Sequence, residues 1–253
     1  MSGPVNKVAV VFGGTSGIGF ATAAELVAQG YRVAIAGRDV ARGERVAREI
    51  DALFVAADVS RSADVVRVVD TVVARWGRLD VAVNAAALAD MRPAPVAEIT
   101  EDDWHRAIAV DLTGVWLCMR SEIAAMLATG GGAIVNVSSV NGLSGTPMAA
   151  ADCAAKHGIH GLSKTAAIEY APRGIRVNVV CPGAHRTPML ERVFETATPG
   201  DPARTEAMYI THIPAGRIGE PRECARTIVW LVSDAASYVS GAVVTVDGAL
   251  SAG

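Results

Sequence analysis

A glycine-rich segment near the start of the chain lies between a predicted strand and a predicted helix. Residues 8–12 form a short β-branched apolar run, and residues 19–29 carry apolar side chains at helical spacing. The segment between them reads Gly13-Gly14-Thr15-Ser16-Gly17-Ile18-Gly19. Glycine lets the backbone turn tightly and approach a pyrophosphate, whose charge can be met by N–H groups at the helix start. The segment therefore predicts a dinucleotide-binding loop in a βαβ unit.

Strand and helix patterns alternate along the rest of the chain. Strands are predicted at residues 8–12, 32–36, 53–56, 79–83, 133–137, 176–180 and 242–246, and helices at 19–29, 41–50, 62–76, 102–127, 151–170 and 221–233. This alternation implies right-handed crossovers between parallel strands. We therefore predict an α/β fold of the Rossmann type, a doubly wound sheet of seven parallel strands with helices on both faces.

The chain is predicted to form a single dinucleotide-binding domain over residues 1–253. A chain of 253 residues is long enough for one large core, and neither a Pro- and Ser-rich linker nor a fixed-period repeat divides it. The least regular stretch is 182–214, which is rich in turn formers. Long connections beyond the carboxyl ends of parallel strands lie where ligands bind, so residues 184–214 are predicted to be a substrate lid. A surface insertion is the other interpretation.

Charge and cysteine content exclude several kinds of partner. The net charge of -3 gives no electrostatic footprint for nucleic acid or an anionic membrane, so we expect a small-molecule substrate. The four cysteines lack the paired spacing of a metal or thiol redox site, and no metal is predicted. The first residues lack the pattern of a signal peptide, and no apolar run is long enough to span a bilayer, which predicts a cytoplasmic protein.

The end of the second predicted strand bears on the type of dinucleotide. Arg38 follows this strand about twenty residues after the glycine loop, where the residue facing the adenosine ribose is expected. A guanidinium there suits the 2′-phosphate of NADP(H), whereas a carboxylate would suit the ribose hydroxyls of NAD(H). Asp39 comes next and could pair with Arg38 on the surface instead. NADP(H) is therefore favoured over NAD(H).

Several further motifs occur in an order and spacing that resemble the short-chain dehydrogenase/reductase family. They are the loop ending at Gly19, Asp58, Asn84-Ala85-Ala86-Ala87, Asn136-Val137-Ser138-Ser139, Lys156-His157-Gly158, and Pro182-Gly183 with Thr187. The resemblance extends over essentially the whole chain. Two residues near the cofactor differ from the family motifs: Phe12 replaces a threonine, and Ala87 replaces a glycine. Both differences affect only packing.

The resemblance implies which residues contact the cofactor. They are Gly13, Thr15, Ser16, Gly17, Ile18, Gly19, Arg38, Asp58, Val59, Asn84, Ala85, Lys156, Pro182, Gly183, His185 and Thr187. It also implies a homotetramer or a homodimer, in which the long helices and the final strand are buried.

The catalytic positions that the resemblance implies are only partly occupied by the expected residue types. Ser139 matches the serine that orients the substrate oxygen, and Lys156 matches the lysine that binds ribose. The tyrosine that donates or accepts the proton should lie one helical turn before Lys156, and that position is Asp152. The expected asparagine is replaced by Asp111, and His185 stands where a branched aliphatic residue is usual.

Aspartate at position 152 changes the expected proton chemistry. Tyrosine has a reference pKa of about 10 that cationic neighbours lower toward neutrality, whereas aspartate starts at about 3.9 and is lowered further. Asp152 should therefore be ionised and a poor proton donor. Two alternatives remain open: Asp111 and Asp152 share one proton in a dry pocket, or Asp152 and Lys156 form an ordinary surface pair.

His185 is a second candidate for proton transfer, because its unperturbed pKa near 6.5 suits exchange at neutral pH. The other interpretation is a loop histidine that is hydrogen-bonded to the backbone. Three functions follow. The first is an NADP(H)-dependent oxidoreductase of carbonyls, alcohols or imines with a non-standard proton-transfer group. The second is a lyase, isomerase or cyclase that uses Asp152 as acid or base. The third is a catalytically silent nucleotide-binding subunit.

Overall fold

The structure, a computed structural model, describes residues 7–252. Seven strands form one sheet: β1 (Val8–Phe12), β2 (Arg32–Gly37), β3 (Leu53–Ala56), β4 (Val81–Asn84), β5 (Gly132–Val137), β6 (Ile175–Pro182) and β7 (Val243–Val246). They are all parallel and lie in the order β3-β2-β1-β4-β5-β6-β7. The predicted fold class is confirmed. The sheet reverses its winding between β1 and β4, so a crevice opens at the carboxyl ends of these strands.

Helices cover both faces of this sheet. They are α1 (Gly17–Ala28), α2 (Val40–Ile50), α3 (Ser62–Trp76), α4 (Glu101–Ile108), α5 (Gly114–Thr129), α6 (Ala150–Tyr170), α7 (Pro188–Ala197), α8 (Pro202–His212) and α9 (Pro221–Val232). Side chains of α1, α2 and α9 form the apolar core on one face. Those of α3, α5 and α6 form it on the other. Strands β1, β4, β5 and β6 are almost completely buried, which explains their mostly apolar sequences, whereas the edge strands β3 and β7 are half-buried.

The predicted helix 102–127 is not continuous. A π-helical turn at Ala109–Thr113 separates α4 from α5. Such a turn inserts an extra residue into the helix and is often found at functional sites. It places the side chain of Asp111 in the interior, where only 1% of the residue is exposed. The helical spacing was predicted correctly, but the interruption was not.

The prediction that residues 182–214 are irregular is wrong, because this stretch contains α7 and α8. Its turn formers act as helix caps: Thr187 accepts a hydrogen bond from Leu190 N–H, and Asp201 accepts one from Arg204 N–H. A proline follows each cap at the first helical position, where its missing N–H costs nothing. Phe194 of α7 packs in a small apolar cluster with Ile213 and Ile218.

Three of the four cysteines, Cys118, Cys181 and Cys224, are buried, and Cys153 is half-buried; all four are free thiols. Among residues 7–252, no helix has the length and apolar character needed to cross a bilayer. The same residues contain no group of three His, Cys, Asp or Glu side chains placed to hold a metal ion.

Candidate active site

The glycine loop forms the floor of a cleft at the carboxyl ends of the strands, which encloses about 2410 Å³. Gly13 has a φ of 78°, and a Cβ there would lie 2.5 Å from the backbone nitrogen of Ala86. A Cβ on Gly19 would lie 2.2 Å from the carbonyl oxygen of Gly13. Both contacts are too close for any side chain, so the tight turn requires glycine at these positions.

The start of α1 is suited to an anion. Among the described residues no side chain caps this helix, and its first turn contains no carboxylate. The N–H groups of its first turn are therefore available, and the helix dipole adds positive potential there. The loop and the helix end together fit the pyrophosphate of a dinucleotide.

Arg38 lies at the rim of this cleft and is exposed. Asp39 does not pair with it, which corrects one of the two alternatives from the sequence. Asp39 instead caps α2 through Arg42 N–H at 3.0 Å, and its other oxygen lies 3.4 Å from the Arg42 guanidinium. Within residues 7–252 the Arg38 side chain has no hydrogen bond or ion pair, so its guanidinium is free to meet an anion.

Asp58 and Val59 follow β3 and also line the cleft. One carboxylate oxygen of Asp58, Oδ1, accepts hydrogen bonds from the N–H and the hydroxyl of Ser60 at 2.9 and 2.7 Å. These bonds fix the orientation of the carboxylate. Val59 is buried against Gly114, where a Cβ would lie 2.9 Å from Val59 Cγ2.

The side chain of Asn84 has a structural role beneath the cleft. Its side chain is 2% exposed and is not among those that line the cleft. Its Nδ2 donates to Glu122 Oε2 at 3.1 Å and to Asn136 Oδ1 at 2.9 Å. Asn136 in turn donates to Ser163 Oγ at 2.8 Å. The side chain of Asn84 therefore ties β4 to β5 and to α5, and its contact with the cofactor stays a prediction.

The remaining predicted cofactor residues all line the cleft. They are Gly13, Thr15, Ser16, Gly17, Ile18, Gly19, Arg38, Asp58, Val59, Ala85, Lys156, Pro182, Gly183, His185 and Thr187. They come from loops that are far apart in the chain, and only the parallel sheet brings them to one edge.

Lys156 of α6 forms a buried ion pair with Asp111 of the π-helical turn. Its Nζ lies 3.1 Å from Asp111 Oδ1, and the two side chains are 6% and 1% exposed. The Asp111 carboxylate also accepts a hydrogen bond from Leu88 N–H at 3.2 Å. Burial alone would lower the pKa of Lys156, but the carboxylates of Asp111 and Asp152 outweigh it and raise that pKa. Lys156 is therefore an ammonium. Burial raises the pKa of Asp111, against the opposing effect of Lys156.

Asp152 lines the same cleft and is 8% exposed. Its Oδ2 accepts a hydrogen bond from Asn141 Nδ2 at 2.7 Å, and Asn141 Oδ1 accepts one from the Thr146 hydroxyl at 2.7 Å. Asp152 and Lys156 are both buried and do not come within the 4.0 Å of an ion pair, so the predicted surface pair is wrong. Burial and the nearby Asp152 carboxylate raise the pKa of Asp111, against the opposing effect of Lys156, so a proton shared by the two carboxyls stays a prediction.

Ser138 and Ser139 directly follow β5 and have different surroundings. Ser138 is buried, donates to the carbonyl of Lys156 at 3.1 Å and lies 3.0 Å from His160 Nε2. Ser139 is less buried, and its Oγ accepts a hydrogen bond from Asn141 N–H at 3.2 Å. The hydroxyl of Ser139 retains its own proton for a ligand in the cleft.

His185 lies in the loop after β6, is 5% exposed and lines the cleft. Its Nδ1 donates to the Gly183 carbonyl at 3.1 Å, and its ring packs on Gly219, where a Cβ would lie 3.0 Å from Cδ2. The interpretation as a histidine hydrogen-bonded to the backbone therefore describes its geometry. With Nδ1 occupied, only Nε2 is left for exchange with a ligand.

Three residues of the site region were missed in the sequence. Asn141 and Thr146 hold Asp152, and Glu122 is a carboxyl group buried beneath β4. Asn141 follows Ser139 by two residues, but nothing in that spacing indicates that its amide reaches α6. Glu122 directly follows Arg120 and Ser121 in α5, so its neighbours in the sequence gave no signal that it is buried.

Comparison with known proteins identifies the family. Residues 13–251 match a family model described as Enoyl-(Acyl carrier protein) reductase. The chain is 40% identical over 256 residues to a 2,5-dichloro-2,5-cyclohexadiene-1,4-diol dehydrogenase of Sphingobium indicum, with 100% of both chains covered. It is 42% identical to a cis-4-hydroxycyclohexanecarboxylate dehydrogenase of Sinomonas cyclohexanicum, with 97% of each covered. It also matches the crystal structure of levodione reductase with a TM-score of 0.94, at 34% identity over 98% of both chains. The chain therefore belongs to the short-chain dehydrogenase/reductase family and is one of its small-molecule alcohol and carbonyl oxidoreductases, with a nicotinamide dinucleotide as cofactor.

Proposed function

We propose that this chain is an NADP(H)-dependent oxidoreductase that moves hydride to or from an alcohol, carbonyl or imine carbon of a small ring compound, with a carboxylate in place of the tyrosine. The observation that carries this proposal is the buried ammonium of Lys156, which lines the same cleft as the glycine loop and Ser139. A bound nicotinamide dinucleotide supplies or accepts the hydride. The protein binds and orients the substrate and the dinucleotide, and its side chains exchange the proton.

The NADP(H) preference rests on Arg38. Its exposed guanidinium at the cleft rim has no partner within the described chain, and Arg42 and Arg45 line the same end of the cleft. A 2′-phosphate would be met by positive charge on this side. Asp39 is the nearest carboxylate in the chain, and it is occupied as the cap of α2.

The substrate class follows from the relatives and from the cleft. The relatives are named for dehydrogenation of substituted cyclohexane or cyclohexadiene rings. In this chain Leu88, Met91, Met148 and Met189 line the cleft, so it offers apolar surface to a ring of that size. Helices α7 and α8 in residues 184–214 would form the lid over such a ring.

The proton step sets the roles of the catalytic side chains. Ser139 Oγ would donate a hydrogen bond to the substrate heteroatom, and Lys156 would bind the ribose. Asp152 Oδ2 accepts a hydrogen bond from the Asn141 amide, and Asp152 would act as a base. A carboxylate can take the proton of an alcohol, directly or through a water, but cannot supply one to a ketone. His185 Nε2 also lines the cleft and could exchange this proton.

A second candidate function uses the same carboxylate without net redox chemistry. Asp152 is buried, lines the cleft and is held by Asn141, which is an arrangement suited to a fixed base. A lyase, isomerase or cyclase on this scaffold would remove a C–H or N–H proton with Asp152.

The test is a titration of the purified protein with NADPH, followed by assays with NADP+ and cyclohexanol and with NADPH and cyclohexanone. Asp152→Asn and Asp152→Tyr variants are compared with Asp102→Asn, which removes an exposed carboxylate of α4 outside the cleft. We expect NADPH binding in all four proteins. Alcohol oxidation should fall about a hundredfold in Asp152→Asn, the usual contribution of a general base, and Asp152→Tyr should gain ketone reduction.

Three results would contradict the proposal. Absence of dinucleotide binding would exclude the oxidoreductase. Full alcohol oxidation by Asp152→Asn would show that the carboxylate does not take the proton. Conversion of a substrate without any change in NADPH absorbance would favour the lyase, isomerase or cyclase.

We also propose that the protein assembles as a homodimer or homotetramer through its long helices. Trp116 of α5 is 45% exposed and Ile168 of α6 is 78% exposed, although both are large apolar side chains. Burial of these side chains against a second copy would remove that exposure. Sedimentation at micromolar concentration should give two or four chains per particle, and Ile168→Glu should lower that number.

A further inference from the structure

The charges at the reaction centre do not balance. Two buried carboxylates, Asp111 and Asp152, face one ammonium, Lys156. The family resemblance implies an asparagine and a tyrosine at the two carboxyl positions, so this chain carries two additional carboxyl groups there. They outnumber the one ammonium in the part of the cleft that also holds Ser139. The Asp152 carboxyl lines the cleft, where a ligand of opposite charge can reach it.

The carboxyl group in excess is that of Asp152. Asp111 is occupied by Lys156 and by Leu88 N–H. Asp152 receives only the neutral amide of Asn141, and its Oδ1 has no hydrogen-bond partner among residues 7–252. This oxygen is on a side chain that is more than nine-tenths buried and that lines the cleft. Two loop arginines also line the cleft: Arg186 is paired with Glu206, and Arg92 is exposed, so neither is shown bound to Asp152.

From these observations we propose that the substrate carries a positively charged nitrogen, as a protonated imine in the direction of reduction, and that Asp152 is the residue that binds this nitrogen. The inference rests on the proposed function, since it names the substrate class of the same site. It also explains why the site can lack the tyrosine.

The chemical balance of such a reaction needs no proton donor. The iminium carbon accepts hydride from the reduced dinucleotide, so that a C–H bond forms. The π electrons of the C=N bond become the lone pair of a neutral amine. The substrate is reduced by two electrons and the dinucleotide is oxidised by two. The proton that a ketone would have to receive from the protein is already on the iminium nitrogen.

The electrostatics of this step match the site in both directions. Before transfer the single positive charge is on the substrate nitrogen, and after transfer it is on the nicotinamide ring. Each state therefore places one positive charge opposite the Asp152 carboxylate. A ketone would instead pass through an alkoxide next to Asp152, and two like charges in a buried site repel each other strongly.

The first test measures binding without turnover. Cyclohexylamine, which is protonated at pH 7, and cyclohexanol, which is neutral and of nearly equal size, are titrated calorimetrically, with and without NADP+. We expect the protein to bind the ammonium at least about tenfold more tightly, as a hydrogen bond between buried charged groups would give. Asp152→Asn should lose this preference, and Asp102→Asn should keep it.

The second test compares turnover of 2-methyl-1-piperideine with that of 2-methylcyclohexanone, both with NADPH. The wild type should reduce the imine at least about a hundredfold faster, because a ketone needs a proton that the Asp152 carboxylate does not supply. In Asp152→Tyr the ratio should reverse.

The outcomes distinguish failure of the inferred cationic substrate from failure of the proposed oxidoreductase function. Equal binding of cyclohexylamine and cyclohexanol, or a preference for the ammonium that persists in Asp152→Asn, would overturn the inference even if NADPH binds and cyclohexanol is oxidised. If NADPH does not bind, the proposed function fails, and the calorimetry without dinucleotide still decides whether Asp152 binds a cation.

Discussion

The Asn141 amide donates to the Asp152 carboxylate at 2.7 Å, and the Thr146 hydroxyl donates to the Asn141 carbonyl at the same distance. The side chains of Thr146, Asn141 and Asp152 are thus linked by a series of hydrogen bonds that ends on the carboxylate in the cleft. Because Oδ2 is held by Asn141, Oδ1 is the oxygen left for a ligand. The orientation of the candidate catalytic carboxylate is therefore set by a residue that does not itself carry charge.

Replacing Asn141 tests this positioning. Asn141→Ala should lower kcat for cyclohexanol oxidation about tenfold, because Asp152 loses the donor that orients it, a hydrogen bond to a charged group being worth about 2 kcal/mol. Affinity for NADP+ should not change. Thr146→Val is the control, since it removes only the outer and exposed link of the chain and should reduce kcat less than about threefold. An unchanged kcat in Asn141→Ala would mean that Asn141 does not position Asp152.

The buried ion pair makes a prediction about stability. Lys156→Met should lower the free energy of unfolding by about 3 kcal/mol, because it leaves the Asp111 carboxylate buried without its cation. The double variant Lys156→Met/Asp111→Asn should recover most of this loss, since asparagine can still accept from Leu88 N–H and carries no charge. Urea denaturation at pH 7 measures both. If the double variant is no more stable than Lys156→Met, the loss does not come from the unpaired carboxylate.

Glu122 should make the stability of the protein depend on pH. Burial raises the pKa of Glu122 from 4.5 to about 8, against a small opposing effect of the Asn84 amide. Between these values the folded chain holds a proton that the unfolded chain has lost. The unfolding free energy therefore falls as pH rises through this window, by up to about 1.4 kcal/mol per pH unit.

The variant Glu122→Gln should flatten this dependence. Denaturation midpoints measured from pH 5 to 8 should decline in the wild type and in Glu169→Gln, which removes an exposed carboxyl of α6. They should change less in Glu122→Gln. Parallel slopes in all three proteins would show that Glu122 is not protonated in the folded state.

Arg38 should distinguish the two dinucleotides. Arg38→Ala should raise the Kd for NADPH about tenfold, the usual value of one charge-assisted hydrogen bond to phosphate, and should leave the Kd for NADH unchanged. Arg48→Ala, on the same helix as Arg42 but outside the cleft, is the control. Fluorescence titration gives both constants. Equal losses for NADPH and NADH would show that Arg38 does not read the 2′-phosphate.

Patterns within single elements predicted much of this structure. The seven strands were found from short β-branched runs, because a strand buried on both faces is apolar throughout. The turn formers of residues 182–214 misled the prediction, since the same residue types begin loops and cap helices. Thr187 and Asp201 were read as loop residues, and they are the N-caps of α7 and α8.

The sequence by itself determined the parallel sheet, the glycine loop and the replacement of tyrosine by Asp152, because periodicity, glycine spacing and residue identity are all local properties. Only the tertiary structure showed that Asp152 does not form an ion pair with Lys156. Lys156 lies one helical turn away and pairs instead with Asp111, 45 residues earlier in the chain, because the π-helical turn between α4 and α5 directs that carboxylate inward. The side-chain partners of Asn84 likewise lie 38 and 52 residues away. Such contacts depend on how the elements pack, which no local pattern records.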